Sequence, residues 1–471
     1  MLAFIALRFV AAWIIGYFML NFFIRLISSG YIDHFGPLYS DNLKRNISGN
    51  DSSLYYLLAL ACTLIPFIII FNRSRLDKLC KNIGNVYPDQ TIRIFFTILV
   101  AGSSLYVLLL YADMLWRGII PIVECMERYD YYKFSGPFHL PTFHYGPIAF
   151  MIFGGATIFM KLRGGAFDIR FPILLVLIVG YTVLTGHRFS APIVFLHYFS
   201  MPLAVLVAAR QGPFQMPIRT DKQEHNRRNQ LREFIPILLT FILVILLVFA
   251  ALLNSYTRLR SYGCRYINIP QEATQNIPRK TVQKADLKVA QSRVTERIML
   301  QPGEMWVEVV KRMKSKNGLE PQTAFRFLFV APGLDGGDVG IRYLMARTIG
   351  SEEEAELFLR GQQFQGGYPG IFIEMFGAIW SWPAILFANL VMAGLLFWWI
   401  QSLITGRFIT FCLISYTYFA MVALYSSGSM TFLISWTFWM KLLFSLIAHN
   451  VEASPRYQSL FIKKFGLSRA D

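Results

Sequence analysis

Charged and aromatic side chains gather at three places where long apolar stretches end. The tightest is Thr185-Gly186-His187-Arg188-Phe189, which joins two apolar stretches with almost no loop. A guanidinium at headgroup level matches phosphate oxygens with two parallel N–H bonds. The same Arg188 could equally serve as a snorkelling anchor. Gly186 allows close backbone approach, and His187 stands beside the arginine as a proton acceptor. The second group ends a long polar segment. Arg326, Arg342, Arg347 and Arg360 run into Gln362-Gln363-Phe364-Gln365-Gly366-Gly367-Tyr368-Pro369-Gly370, followed by Glu374 and Gly377. Tyr368-Pro369-Gly370 ends the loop and starts a helix, with Pro at a tolerated early position. Glu374 then lies about one turn inside, before Trp380 and Trp382, whose rings favour a membrane interface. A carboxylate there either pairs with a loop arginine or takes a proton from a hydroxyl. The third group, 113–145, holds Arg117, Glu124, Glu127, Arg128, Asp130, Tyr131, Tyr132, Lys133, His139 and His144. Such a mixture suits a sugar surface and an ordinary wet loop about equally.

Other chemistries find no support. The sequence has no phosphate-binding Walker loop, no HExxH and no GxSxG. Gly333-Leu-Asp-Gly-Gly-Asp offers oxygen atoms but lacks the spacing and the closing glutamate of a calcium loop, so it reads as a turn. No metal or cofactor is expected. Ionisable residues inside the apolar stretches are few, with His197 at mid-span, which disfavours a proton pump or ion channel.

The elements that must position these residues are set by composition. Hydrophobic types make up 55% of the 471 residues and charged types 15%, against about 25% charged in a soluble domain. Mean hydropathy is +0.45. These values exclude a soluble enzyme and fix an all-α polytopic membrane protein. Net charge is +17, from 45 Lys plus Arg against 28 Asp plus Glu. In a membrane protein that excess is explained by cytoplasmic loops, so membrane lipids rather than nucleic acid are the expected partners. The five cysteines form no CxxC pair.

Ten spans are expected, near 3–24, 54–72, 93–112, 146–161, 171–185, 190–209, 235–254, 378–400, 408–425 and 430–448. The fourth is interrupted by Gly154-Gly155. Basic residues concentrate in 73–93, 161–170, 210–232 and the tail. With an even number of spans these share one side with both termini, and the Lys/Arg rule makes that side the cytoplasm. Residues 25–53, 113–145 and 255–370 then face outward, where Cys125 and Cys264 could pair. The organisation expected is a bundle of seven spans over 1–254, an external helical subdomain over 255–370, three spans over 371–448 and a tail over 449–471. Within the subdomain 281–300 and 304–314 read as amphipathic helices. Ser351-Glu352-Glu353-Glu354 reads as a capping box opening a helix to about Arg360.

This layout resembles the Wzy-type O-antigen and oligosaccharide repeat-unit polymerases of bacterial envelopes. The likeness covers the whole chain in architecture. Locally it rests on Thr185-Gly186-His187-Arg188, similar to the family's Gly-x-Arg turn, and on Gly366-Gly367-Tyr368-Pro369 with Glu374 and Gly377, similar to its re-entering segment. The spaced Arg-to-Gly loop pattern of some members is not matched, since Phe358 stands sixteen residues after Arg342. The resemblance implies a GT-C-like fold and metal-independent glycosyl transfer at the outer face of the inner membrane. The donor would be an undecaprenyl-pyrophosphate-linked glycan, and a chain-length-regulating co-polymerase would be a partner. For that chemistry the residues offer Arg188 and the loop arginines as candidates to hold the pyrophosphate, and Glu374 or His187 as candidates for the base. Tyr368 and His144 become substrate contacts. An O-antigen ligase shares the layout. A lipid-linked oligosaccharide flippase would want repeated halves, and a structural assembly partner would need no site.

Overall fold

The structure is a computed structural model that describes residues 22–40, 45–49, 51–72, 89–121, 134–162, 170–185, 300–314, 368–427 and 436–454, with Arg75 and Tyr131 besides. The described chain is overwhelmingly helical. Its elements are α1 (22–35), β1 (Leu38–Ser40), β2 (Arg45–Ile47), α2 (Ser52–Ile70), α3 (Asp89–Arg117), α4 (His139–Leu162), α5 (Arg170–Leu184), α6 (Gln301–Lys314), α7 (Gly370–Ile404), α8 (Phe408–Ser427) and α9 (Trp436–Ala453). Among the described residues, three helical stretches are long and apolar enough to cross a membrane: Ser52–Ile70, Ile94–Arg117 and Phe376–Ile404. Their outward faces carry large aliphatic side chains, among them Leu54, Ile65 and Ile68 on α2 and Ile98, Leu105 and Leu108 on α3. Exposing those faces to water would be costly, and a lipid environment would cover them without that cost. The expected spans at 190–209 and 235–254, and nearly all of 3–24, lie outside the described residues.

Two details differ from the sequence reading. The described chain contains a small antiparallel pair, β1 with β2, in which Tyr39 faces Asn46. Three-residue strands are too short to show alternation. The Gly154-Gly155 pair does not interrupt its helix, and α4 runs unbroken from His139 to Leu162. Both glycines are buried, and in a helix held by tertiary packing their weak propensity is overridden.

The chain divides into two compact units, one of 1–10 with 87–290 and the other of 11–86 with 291–471. The first contains α3, α4 and α5. Tyr111 on α3 donates to the carbonyl of Leu177 on α5 at 2.8 Å. Tyr106 on α3 donates to the carbonyl of Phe138 at 2.7 Å. Phe153 of α4 meets Phe171 of α5 edge-on at 4.7 Å.

The second unit is held by polar contacts at helix ends and an apolar core between them. Asp33 of α1 caps α2 from outside: its carboxylate accepts the backbone N–H of Ser52 at 3.1 Å and of Ser53 at 2.7 Å. These are orphan donors that every helix start must satisfy. Burial alone would push the Asp33 carboxyl upward, but the bonds from Ser52 and Ser53 outweigh it and hold its pKa below the ordinary value. Helix α6 packs on α1, β2, α2 and α7. Met305 and Val307 join Leu300, Ile32 and Ile47 in a small core. Trp306 is buried and donates its indole N–H to the Ser52 carbonyl at 2.6 Å. Gly303 lies so close to α1 that a Cβ there would come within 2.6 Å of the Ser29 nitrogen, which is why no larger residue fits. Between α7, α8 and α9 the same logic recurs. Glu452 of α9, fully buried, accepts the N–H of Ile409 at 2.9 Å and of Thr410 at 3.1 Å, so it caps α8.

Candidate functional site

The start of α7 carries the sequence features singled out for chemistry. The helix begins at Gly370, with Pro369 at its N-cap. Gly370 is packed against Val309 of α6, whose Cγ2 would lie 3.3 Å from a Cβ added there. Seven residues later the helix breaks. Gly377 has φ 73° and ψ −177°, a conformation that glycine adopts without a Cβ penalty. α7 is therefore a short segment over 370–376 followed by a long apolar helix. Glu374 has its backbone on the short segment, between the two fixed ends.

Tyr368 sits immediately before this segment, buried to 2% exposure. Its carbonyl accepts a hydrogen bond from Arg25 Nη1 of α1 at 2.9 Å. Its hydroxyl receives the Asn389 amide N–H of α7 at 3.0 Å and is bonded to the Thr63 hydroxyl of α2. Asn389 in turn donates to the Ile385 carbonyl at 2.7 Å and accepts the Tyr425 hydroxyl of α8. The Tyr368 ring stacks on Phe22 at 5.4 Å and meets Tyr425 edge-on at 5.1 Å. Four helices thus converge on one side chain. Buried polar networks of this kind hold a unique geometry when every member is bonded.

Arg25 is itself 5% exposed, and α6 brings two further charged groups into the same unit, Glu304 at 2% and Glu308 at 3%. Glu304 accepts the Ser40 hydroxyl at 2.6 Å. These acids and Arg25 were not singled out by sequence reasoning. On a sequence pattern, glutamates four apart on an amphipathic helix read as its wet face. Here β1 covers part of that face. Asn389, Thr63 and Tyr425 carry no charge at neutral pH, and within an apolar run nothing in their spacing marks them as partners. An Asn within a 29-residue apolar stretch was the available signal.

Of the nine residues expected to form the site, Tyr368 is described in full. Glu374 and His144 are described by their helical backbones alone, the first on α7 and the second on α4. His187, Arg188, Arg326, Arg342, Arg347 and Arg360 lie outside the described residues, as do His197, Cys125, Cys264 and the capping box at 351. Tyr368 is enclosed by protein, with both its polar ends engaged.

In the 113–145 region the described polar groups hold protein to protein. Asp113 accepts the Gly136 N–H and the Arg117 Nε–H, each at 3.0 Å. Arg117 Nη1 donates to the Phe134 carbonyl at 2.8 Å. Tyr131 and His139 are fully buried, and His139 Nδ1 is bonded to the Tyr181 hydroxyl at 2.8 Å. Burial pushes the His139 pKa down to about 4, against the smaller opposing pull of Asp113. Its imidazole is neutral at physiological pH. Neither buried ring offers a face to a sugar.

Residues 334–442 match a family of unknown function (DUF6418). The matched stretch contains Arg342, Arg347 and Arg360, the whole of α7 with Tyr368 ahead of it, and α8. No curated protein matches the chain, and no solved structure matches it.

Proposed function

We propose that this protein is a polysaccharide polymerase of the bacterial inner membrane, a metal-independent glycosyltransferase of the Wzy type. It would join undecaprenyl-pyrophosphate-linked repeat units at the periplasmic face. The observation that carries the reading is the short segment of α7. It presents Glu374 between a pinned tyrosine and a glycine break, directly ahead of a helix able to cross a membrane.

In this reading the acceptor sugar hydroxyl attacks the anomeric carbon of the donor glycan. The bond from that carbon to the pyrophosphate oxygen breaks, and the lipid pyrophosphate leaves with the electron pair. The hydroxyl proton passes to Glu374 or His187. Arg188 and the loop residues Arg326, Arg342, Arg347 and Arg360 supply fixed positive charge to the leaving group. Such pre-set charge acts most strongly where water is excluded. Tyr368 contributes by holding the start of α7, and His144 is retained as a substrate contact. A co-polymerase that sets chain length is the expected protein partner, and both termini face the cytoplasm.

The surface-glycan ladder of a deletion strain tests this proposal. Loss of the ladder with a single repeat retained on the core supports polymerisation. Loss of every repeat points to a ligase or a flippase and overturns it.

A further inference from the structure

Tyr368 is bonded at both its hydroxyl and its carbonyl, immediately ahead of the segment that bears Glu374. Thr63 lies eleven residues into α2, roughly 16 Å along the helix at its standard rise. Asn389 lies twelve residues past the Gly377 break, about 18 Å along α7. Both bond the Tyr368 hydroxyl, so that hydroxyl is held deep between two apolar helices. The Tyr368 carbonyl is held separately by Arg25. From this anchor the chain passes through Pro369 and Gly370 straight into the segment that bears Glu374. Glu374 stands four positions past Gly370 and three before the Gly377 break, about 4.5 Å from that break at the standard helical rise.

We propose that Asn389 and Thr63, acting through Tyr368, are positioning residues that set where Glu374 stands for the glycosyl transfer; this rests on the polymerase reading of Glu374. Release of the tyrosine hydroxyl loosens the start of the segment, which the Arg25 bond, the buried Ile371, Phe372 and Ile373 and the Gly377 break otherwise hold. A swing of roughly ten degrees about Gly377 moves the Glu374 backbone by about 0.8 Å. Displacements of that size in a reacting group cost up to about 10²-fold in rate. The network is buried inside the protein, so the loss is expected in turnover and not in substrate binding.

The test uses the full-length protein in liposomes, with lipid-linked repeat units as donor and acceptor. Thr63→Val keeps the shape of the side chain and removes its hydroxyl. Thr63→Ser keeps the hydroxyl. Tyr425→Phe removes the donor to Asn389 and serves as the second lesion if the valine variant does not fold. Ser415→Ala removes the 2.9 Å bond from the Trp399 indole, also between α7 and α8, and is the control for a buried polar loss elsewhere. We expect Thr63→Val and Tyr425→Phe to lower kcat by about 10-fold or more per folded protein, with KM for the lipid-linked glycan unchanged. Thr63→Ser and Ser415→Ala should turn over like the wild type. An unchanged kcat in both lesion variants overturns the positioning role, as does a loss carried by KM. An equal loss in Ser415→Ala also overturns it, since that would reflect general loosening. A wild type that elongates nothing overturns the polymerase reading itself, and is told apart by failing before any variant is compared.

Discussion

Glu374 and Tyr368 are six residues apart and meet opposite demands. Tyr368 is buried and bonded at both polar ends. Its immobility would be wasted on a group that must admit and release glycan. Glu374 follows on a segment too short to fold alone, since isolated helices below about a dozen residues are marginal. The informative substitution at Glu374 exchanges one carboxylate oxygen for an amide nitrogen. If the carboxylate is the base, Glu374→Gln should lower turnover by about 10²-fold or more, the usual size of general-base effects, with the protein still inserted and folded. If it only pairs with an arginine, Gln keeps most of the geometry and a good part of the rate. Turnover of lipid-linked repeat units by the purified variant decides between them. Much of this start was legible in the sequence: the helix begins at Gly370, where Tyr-Pro-Gly announced it. The break at Gly377 was not legible, because a single glycine in an apolar helical pattern is usually tolerated. Asn389 was missed for a different reason. An uncharged amide carries no sequence mark of its burial, and its partners Tyr368 and Tyr425 lie 21 and 36 residues away.

Among the elements, apolar runs predicted their helices closely. The run at 54–72 became Ser52–Ile70, and the amphipathic stretch at 304–314 became Gln301–Lys314. What the runs could not give is the use made of each helix end. Asp33 caps α2 and Glu452 caps α8 from other helices, contacts that no local capping signature records. In the first unit the joint between α4 and α5 depends on His139, whose folded pKa of about 4 lies below its ordinary 6.5. A depressed histidine favours the neutral form. Its contribution is therefore full above pH 6.5 and is lost as pH falls toward 4. The slope is at most about 1.4 kcal/mol per pH unit. We expect the unfolding temperature of the detergent-solubilised protein to fall across that window. His139→Phe should flatten this part of the profile even though it lowers the stability at neutral pH. A wild-type profile with no slope there would show that the unfolded and folded chains bind the histidine proton equally.

For the whole molecule, composition alone fixes the membrane class, and the three spanning-length helices agree with it. The basic clusters at 73–93, 161–170, 210–232 and the tail share one face only if an even number of spans separates the termini from each other. Orientation is therefore a separate prediction. Single cysteines at Asn276 and Asn229, in a background without native cysteines, should respond oppositely to an impermeant thiol reagent. Labelling is expected from outside at Asn276 and not at Asn229. Equal labelling of both would place the long 255–370 segment on the same side as 210–232, and a periplasmic reaction there would be untenable. Whether this protein alone joins repeat units is decided by reconstitution. Purified protein in liposomes is supplied with one undecaprenyl-pyrophosphate-linked repeat unit and no other protein. The account predicts glycans of two and more repeats on the lipid, with one lipid pyrophosphate released for each bond made. Substrate that stays at one repeat, or that moves across the bilayer without growing, would contradict it.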